Sequence, residues 1–144
     1  MNIGKILVPY DGSEYSKRAF QYALDLAKKY NSEVTAISCI PIQDQLPETD
    51  IPEQEKLELQ KQRKIASEIL SIPELESQEA MVSYKGIVLR TSSVTDAILS
   101  YSESNGIDII IVGSRGRGGF KKLLLGSVAS TLSQYSECPV LIVK

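Results

Sequence analysis

Residues 113–127 read GSRGRGGFKKLLLGS, with glycines at 113, 116, 118, 119 and 126 set among Arg115, Arg117, Lys121 and Lys122. The segment follows four apolar residues, Ile109, Ile110, Ile111 and Val112, and leads into a helix-like stretch at 128–136. A glycine-rich cationic loop between a buried strand and a helix start is what anion binding requires. Missing side chains let backbone N–H groups approach phosphate oxygens, and the positive end of the helix dipole adds a favourable field. The phosphate-loop pattern G-x-x-x-x-G-K-[ST] is absent, as is the dinucleotide pattern G-x-G-x-x-G. Those absences argue against a P-loop NTPase and a standard dinucleotide-binding domain. The glycines instead fit G-x2-G-x9-G-[ST], as Gly113, Gly116, Gly126 and Ser127. Ser127 offers its hydroxyl to a phosphate oxygen, caps the following helix, or does both.

A second chemical position opens the chain. The apolar run at 3–8 ends in Pro9-Tyr10-Asp11-Gly12-Ser13. If the first and fourth strands are neighbours where the strand order reverses, Asp11 and the glycine loop overlook one crevice. Asp11 then accepts hydrogen bonds from ribose hydroxyls or helps hold magnesium. Read alone, Asp11-Gly12-Ser13 is equally a helix-capping turn. The glycine loop alone also reads as a flexible surface segment, and its arginines and lysines as a solvated face. Cys39, late in the second strand, either lines a base pocket at the same sheet edge or is a buried core thiol.

Composition narrows the chemistry. The chain has 144 residues, 16 Lys and Arg against 18 Asp and Glu, two cysteines and no histidine. A Ser-His-Asp triad and a His-based zinc site are therefore excluded, and the usual base near neutral pH is missing. The slight acidic excess argues against nucleic acid as a partner. Two widely separated cysteines without a CxxC fit a reducing cytosol, so a cytoplasmic location is expected. The opening MNIGKILVPYDGS turns polar too soon for a signal peptide, and no apolar run approaches a membrane span. The length predicts one domain over residues 1–144.

The elements that must position these residues alternate strand and helix. Strands are expected at 3–8, 34–40, 86–90 (or from a start nearer Met81), 107–112 and 139–143. Helices are expected from the Ser13 cap to about residue 30, then at 53–70, 95–104 and 128–135. Ala19, Phe20, Ala23, Leu24, Ala27 and Tyr30 form one inward face of the first helix. Leu57, Ile65, Ile69 and Leu70 are expected to anchor the second, which Ser71-Ile72-Pro73 should end or kink. Continuous apolar strands imply a sheet covered on both faces, an α/β sandwich with a mainly parallel sheet.

Taken with the glycine spacing, the opening KILVPYDGS, the DIIIVGSRG block and the ending CPVLIVK resemble the universal stress protein family, in its ATP-binding branch. The resemblance covers nearly the whole chain. It implies an α/β fold with a five-stranded, mainly parallel sheet, doubly wound in three α/β/α layers, Rossmann-like and of the adenine nucleotide alpha hydrolase-like kind. It implies ATP, or another adenine nucleotide, held with magnesium at Pro9, Asp11, Gly113, Arg115, Gly116, Gly126 and Ser127. The base would lie near Cys39, and backbone groups of Arg117 and Val128 would assist at the phosphates. It also implies a homodimer through strand 139–143, whose short apolar edge invites self-pairing. The chain departs from the family where Ser92-Ser93-Val94 replaces a frequent G-x-P before the third helix. Three roles follow: a nucleotide-dependent switch in stress response with partner proteins yet to be named, a slow ATPase or autophosphorylating enzyme, and a dimerisation or chaperone-like module independent of nucleotide.

Overall fold

The computed structural model describes residues 2–42, 47–116 and 125–144. Five parallel strands, β1 (Lys5–Pro9), β2 (Glu33–Pro41), β3 (Ser83–Thr91), β4 (Ile109–Gly113) and β5 (Val140–Val143), form one sheet in the order β3-β2-β1-β4-β5. The chain winds outward from β1 to β3, then returns to the other side of β1 with β4. The order therefore reverses between β1 and β4, which meets the condition for Asp11 and the glycine loop to overlook one crevice.

Among the described residues four helices cover the sheet: α1 (Glu14–Tyr30), α2 (Glu53–Ala80), α3 (Val94–Ser104) and α4 (Ser127–Tyr135), with a 3-10 turn at Glu48–Asp50. Ile6, Val8, Val34, Ala36 and Ile111 point to one face and pack with Phe20, Ala23 and Leu24 of α1 and Leu70 of α2. Leu7, Ile37, Ile110 and Val112 point to the other and meet Ile98 of α3 and Ala129 and Leu132 of α4. Side chains alternate across each strand and both faces are covered, so the strands read as unbroken apolar runs.

The first turn of α1 follows the expected chemistry. Ser13 Oγ accepts the Ser16 N–H at 3.2 Å, and Asp11 Oδ1 accepts the Ser13 N–H at 2.9 Å. Gly12 between them takes φ 82°, which a Cβ would disfavour. At the far end of the sheet, Asp108 Oδ2 accepts the N–H groups of Gly4 and Lys5 at 2.8 and 2.9 Å. This clasp explains the one polar residue in the expected fourth strand, which accordingly begins at Ile109 rather than 107.

Three expectations are corrected. α2 does not end at 71–73: it runs on through Pro73 to Ala80. Proline removes one donor and disturbs the carbonyls of the preceding turn. Here the Tyr84 hydroxyl donates to the Leu70 carbonyl at 3.1 Å, and the Pro73 ring is buried. Leu57 and Ile65 do not anchor α2 and stand in solvent; Leu70 is buried and Ile69 partly buried as expected, joined by Ala66, Pro73 and Ser77. Tyr30 is exposed, one residue before α1 ends at left-handed Asn31.

Met81 ends α2 with φ 54° and is 93% exposed. A side chain in this left-handed region costs about 1–2 kcal/mol, partly offset in a glycine variant by the freer unfolded chain. Met81→Gly is therefore expected to stabilise the fold by about 1 kcal/mol, a rise in Tm of roughly 2–4 °C in a calorimetric melt.

Candidate functional site

A cleft of about 490 Å³ opens at the C-terminal ends of β1, β2 and β4, where the strand order reverses. Its volume lies within the range of small-molecule sites. Pro9, Asp11, Cys39, Gly113, Arg115, Gly116, Gly126, Ser127 and Val128 all line it. The structure thus brings nine of the sequence-derived candidates to one place. Arg117, Lys121 and Lys122 lie outside the described residues.

Register explains the convergence. Pro9 pairs with Ile37 and Leu7 with Ile110, so Asp11 leaves β1 beside Cys39 on one side and the end of β4 on the other. A Cβ built on Gly116 would lie 3.0 Å from Asp11 Oδ2, which fixes how close the loop after β4 comes to the carboxylate. The Gly126 N–H donates to the Ser114 carbonyl at 2.6 Å, tying the start of α4 to the same loop.

The glycines serve different ends. At Gly113 a Cβ would stand 2.7 Å from Tyr15 Cβ and 2.9 Å from the Tyr15 carbonyl carbon. Its missing side chain lets α1 pack against the end of β4. Gly126, not Ser127, is the N-cap of α4, and it offers no side-chain cap. The N–H groups of Ser127, Val128 and Ala129 therefore lack intrahelical acceptors, which leaves a donor cluster at the positive end of the helix dipole. Ser127 is exposed in the first turn, with its hydroxyl not needed as the cap.

The opposite end of the cleft is apolar. Ile37, Cys39, Val94 and Ile98 supply it. Val94 is there because Ser93 caps α3, accepting the Asp96 N–H at 3.3 Å, while Thr91 Oγ1 accepts the Ser93 N–H at 3.1 Å. That turn replaces the G-x-P shape. Tyr10, Ser16, Ile37, Ser38, Val94, Ile98, Val112 and Ala129 were missed as lining residues. Adjacency to Asp11, Cys39 and Gly113 pointed to Tyr10, Ser38 and Val112; Ile37 comes with β2, and Ser16, Val94, Ile98 and Ala129 arrive by helix packing.

The two ends together suit an elongated ligand with a flat apolar group and an anionic tail. Cleft residues could hold such a ligand by stacking at Ile37, Val94 and Ile98 and by N–H donation at 127–129, with Asp11 between. Among the described residues no group of three or more Cys, Asp or Glu side chains is gathered to hold a metal. Any cation here would need oxygens from the ligand as well as Asp11.

Burial pushes the Cys39 thiol up from its usual 9.0 to about 11, so at neutral pH it is a protonated wall group and not a nucleophile. Burial, then Glu76, Asp11 and Glu14, raises Tyr10 from 10.0 to about 12, and burial, then Glu74 and Tyr10, raises Tyr84 further. All three hold their protons longer folded than unfolded. Their contribution is complete below the unfolded values, near pH 9–10, and is lost as pH climbs through 11 and 12. Tm is expected to decline progressively once the buffer passes about pH 9, and a Cys39→Ala variant should delay the onset, measured by melts across alkaline buffers.

Comparison with known proteins agrees with this architecture. The profile described as the universal stress protein family matches residues 2–144. Universal stress protein YxiE of Bacillus subtilis is 33% identical over 149 residues, covering 97% of this chain and 98% of that protein. Universal stress protein MJ0531 of Methanocaldococcus jannaschii is 32% identical over 150 residues, covering 97% and 81%. The solved structure of protein MJ0577, from the same organism, superimposes with a TM-score of 0.88 at 28% identity, covering 100% of this chain and 97% of that one. At lower identity, the fold recurs in an Arabidopsis thaliana family protein with AMP bound (20%, TM-score 0.71, 98% and 91% covered) and in a universal stress protein in complex with cAMP (21%, 0.73, 99% and 98%). With its reversal-point cleft and a family match along nearly its entire length, the chain belongs to the universal stress protein family.

Proposed function

We propose that this chain is one adenine-nucleotide-binding domain that acts as a nucleotide-dependent switch in a cytoplasmic stress response. One observation carries the reading: Asp11, the 113–116 loop and the uncapped start of α4 meet in a cleft whose other end is apolar. Ile37, Val94 and Ile98 take the base beside Cys39, and Asp11 faces the ribose. The N–H groups at 127–129 and the Arg115 side chain meet the phosphates. The family proteins with AMP and cAMP bound share this fold and support an adenine nucleotide as ligand. ATP is the proposed physiological form, with magnesium held by its phosphates and by Asp11. Homodimers form through strand 139–143, whose Val140, Leu141 and Ile142 remain partly exposed on the edge strand β5.

The test is mass spectrometry of the purified protein, followed by titration with ATP and magnesium. At ligand one hundred times Kd the fold should gain about 2.7 kcal/mol, a rise in Tm of roughly 5–11 °C. No retained nucleotide and no response at millimolar ATP would sink the reading.

A further inference from the structure

We propose that binding in the cleft is transmitted to the second half of α2 through a column of three packed rings, Tyr10, Phe20 and Tyr84, a step that rests on the nucleotide reading above. Most of the apolar wall of the cleft belongs to the α3/α4 side of the sheet: Ile37, Ile98, Val112 and Ala129 all pack there. Tyr10 is the exception. It lines the cleft yet belongs to the core under α1 and α2. The Tyr10 and Phe20 rings meet edge to face with centroids 6.0 Å apart, and Phe20 meets Tyr84 in the same way at 6.1 Å. Tyr10 is 3% exposed and Phe20 1%, so neither ring can shift far without displacing its neighbour.

The column ends on an incomplete turn of α2. Pro73 has no N–H for the Ile69 carbonyl four residues back, so the helix lacks one rung there. The next carbonyl, that of Leu70, accepts from the Tyr84 hydroxyl at 3.1 Å. A few residues on, the Glu76 carboxylate accepts from the Gln21 side-chain amide of α1. Glu76 is also felt at the head of the column: after burial, it is the group that most raises the Tyr10 phenol. The stretch after the missing rung is thus held from outside the helix, by β3 and α1. Two arrangements are available to it: closed, with Tyr84 on the Leu70 carbonyl, and open, with that bond lost and residues 74–80 loosened. A ligand that grips residues 9–11 stills Tyr10. Through the two ring contacts it keeps Tyr84 in place and favours the closed arrangement.

Hydrogen exchange of the full chain, with and without ATP and magnesium, reads the effect. Besides protecting 127–129, ATP is expected to slow the amides of 74–80 about fivefold, at the low end of couplings between sites. Tyr84→Phe keeps the ring and drops only the hydroxyl. It should bind ATP within about twofold of wild type, since Tyr84 does not line the cleft. Its β1 and β4 amides should respond to ATP as in wild type, while the slowing at 74–80 disappears. Phe20→Leu, which breaks the middle of the column, should lose that slowing as well. If ATP protects 127–129 but leaves 74–80 unchanged, or slows them equally in Tyr84→Phe, the column is overturned and the nucleotide reading stands. No protection anywhere at millimolar ATP removes the nucleotide reading and the column together.

Discussion

Gly113→Ala is expected to lose about 3 kcal/mol of folding stability, a drop in Tm of roughly 6–12 °C. The new methyl would enter at 2.7 Å from Tyr15 Cβ and 2.9 Å from the Tyr15 carbonyl carbon, distances that real Cβ atoms do not keep. Backbone cannot swing aside as a flexible side chain can. Either the first turn of α1 lifts from β4 or the end of β4 bends, and both movements loosen packing around residues buried in the centre of the molecule. Calorimetry on ligand-free protein isolates this effect. An unchanged Tm would mean that α1 accommodates the methyl without strain, and that Gly113 matters for another reason.

Gly116→Val should do the reverse, leaving ligand-free stability within about 1 kcal/mol and weakening ATP about a hundredfold, or some 2.7 kcal/mol. Gly116 is exposed, so the fold has little at stake there. Its Cβ, however, would stand 3.0 Å from Asp11 Oδ2, and the valine branches would project from that point into the proposed ribose site. Isothermal titration of the variant against wild type checks it. Full affinity would show that nothing bound passes between residues 11 and 116. The two substitutions lie three residues apart in one motif, yet one is expected to act on folding and the other on the ligand.

This contrast also marks what the amino-acid sequence could reveal. The spacing of Gly113, Gly116 and Gly126 was legible because glycine is a local statement about backbone. The parallel sheet was legible because unbroken apolar runs imply strands covered on both faces, whereas the place of β4 beside β1 could only be posed as a condition. The reason for Gly113 was hidden, because Tyr15 meets it only after α1 has packed across β4. The continuation of α2 was hidden for a similar reason. Pro73 is a breaker in isolation, and the groups that hold its turn in place, such as the Tyr84 hydroxyl on the Leu70 carbonyl, come from the next strand. Gly86 lets that hydroxyl through: a Cβ there would stand 2.8 Å from the Tyr84 oxygen. Leu57 and Ile65 misled because apolar spacing locates a stripe without saying which stripe the sheet takes. In the cleft, the residues found from sequence carried chemical character, as Asp11 and Ser127 do. Those missed, such as Val94 and Ile98, are ordinary aliphatics that matter only through where α3 is set down.

The strand order has a consequence for biosynthesis. One wall of the cleft leaves the ribosome with Pro9 and Asp11, whereas the facing wall waits for residues 112–129, and β1 meets β4 only across about a hundred intervening residues. Until the last fifth of the polypeptide has emerged, the early wall has nothing to face, and any ligand that must touch both walls has to wait for α4.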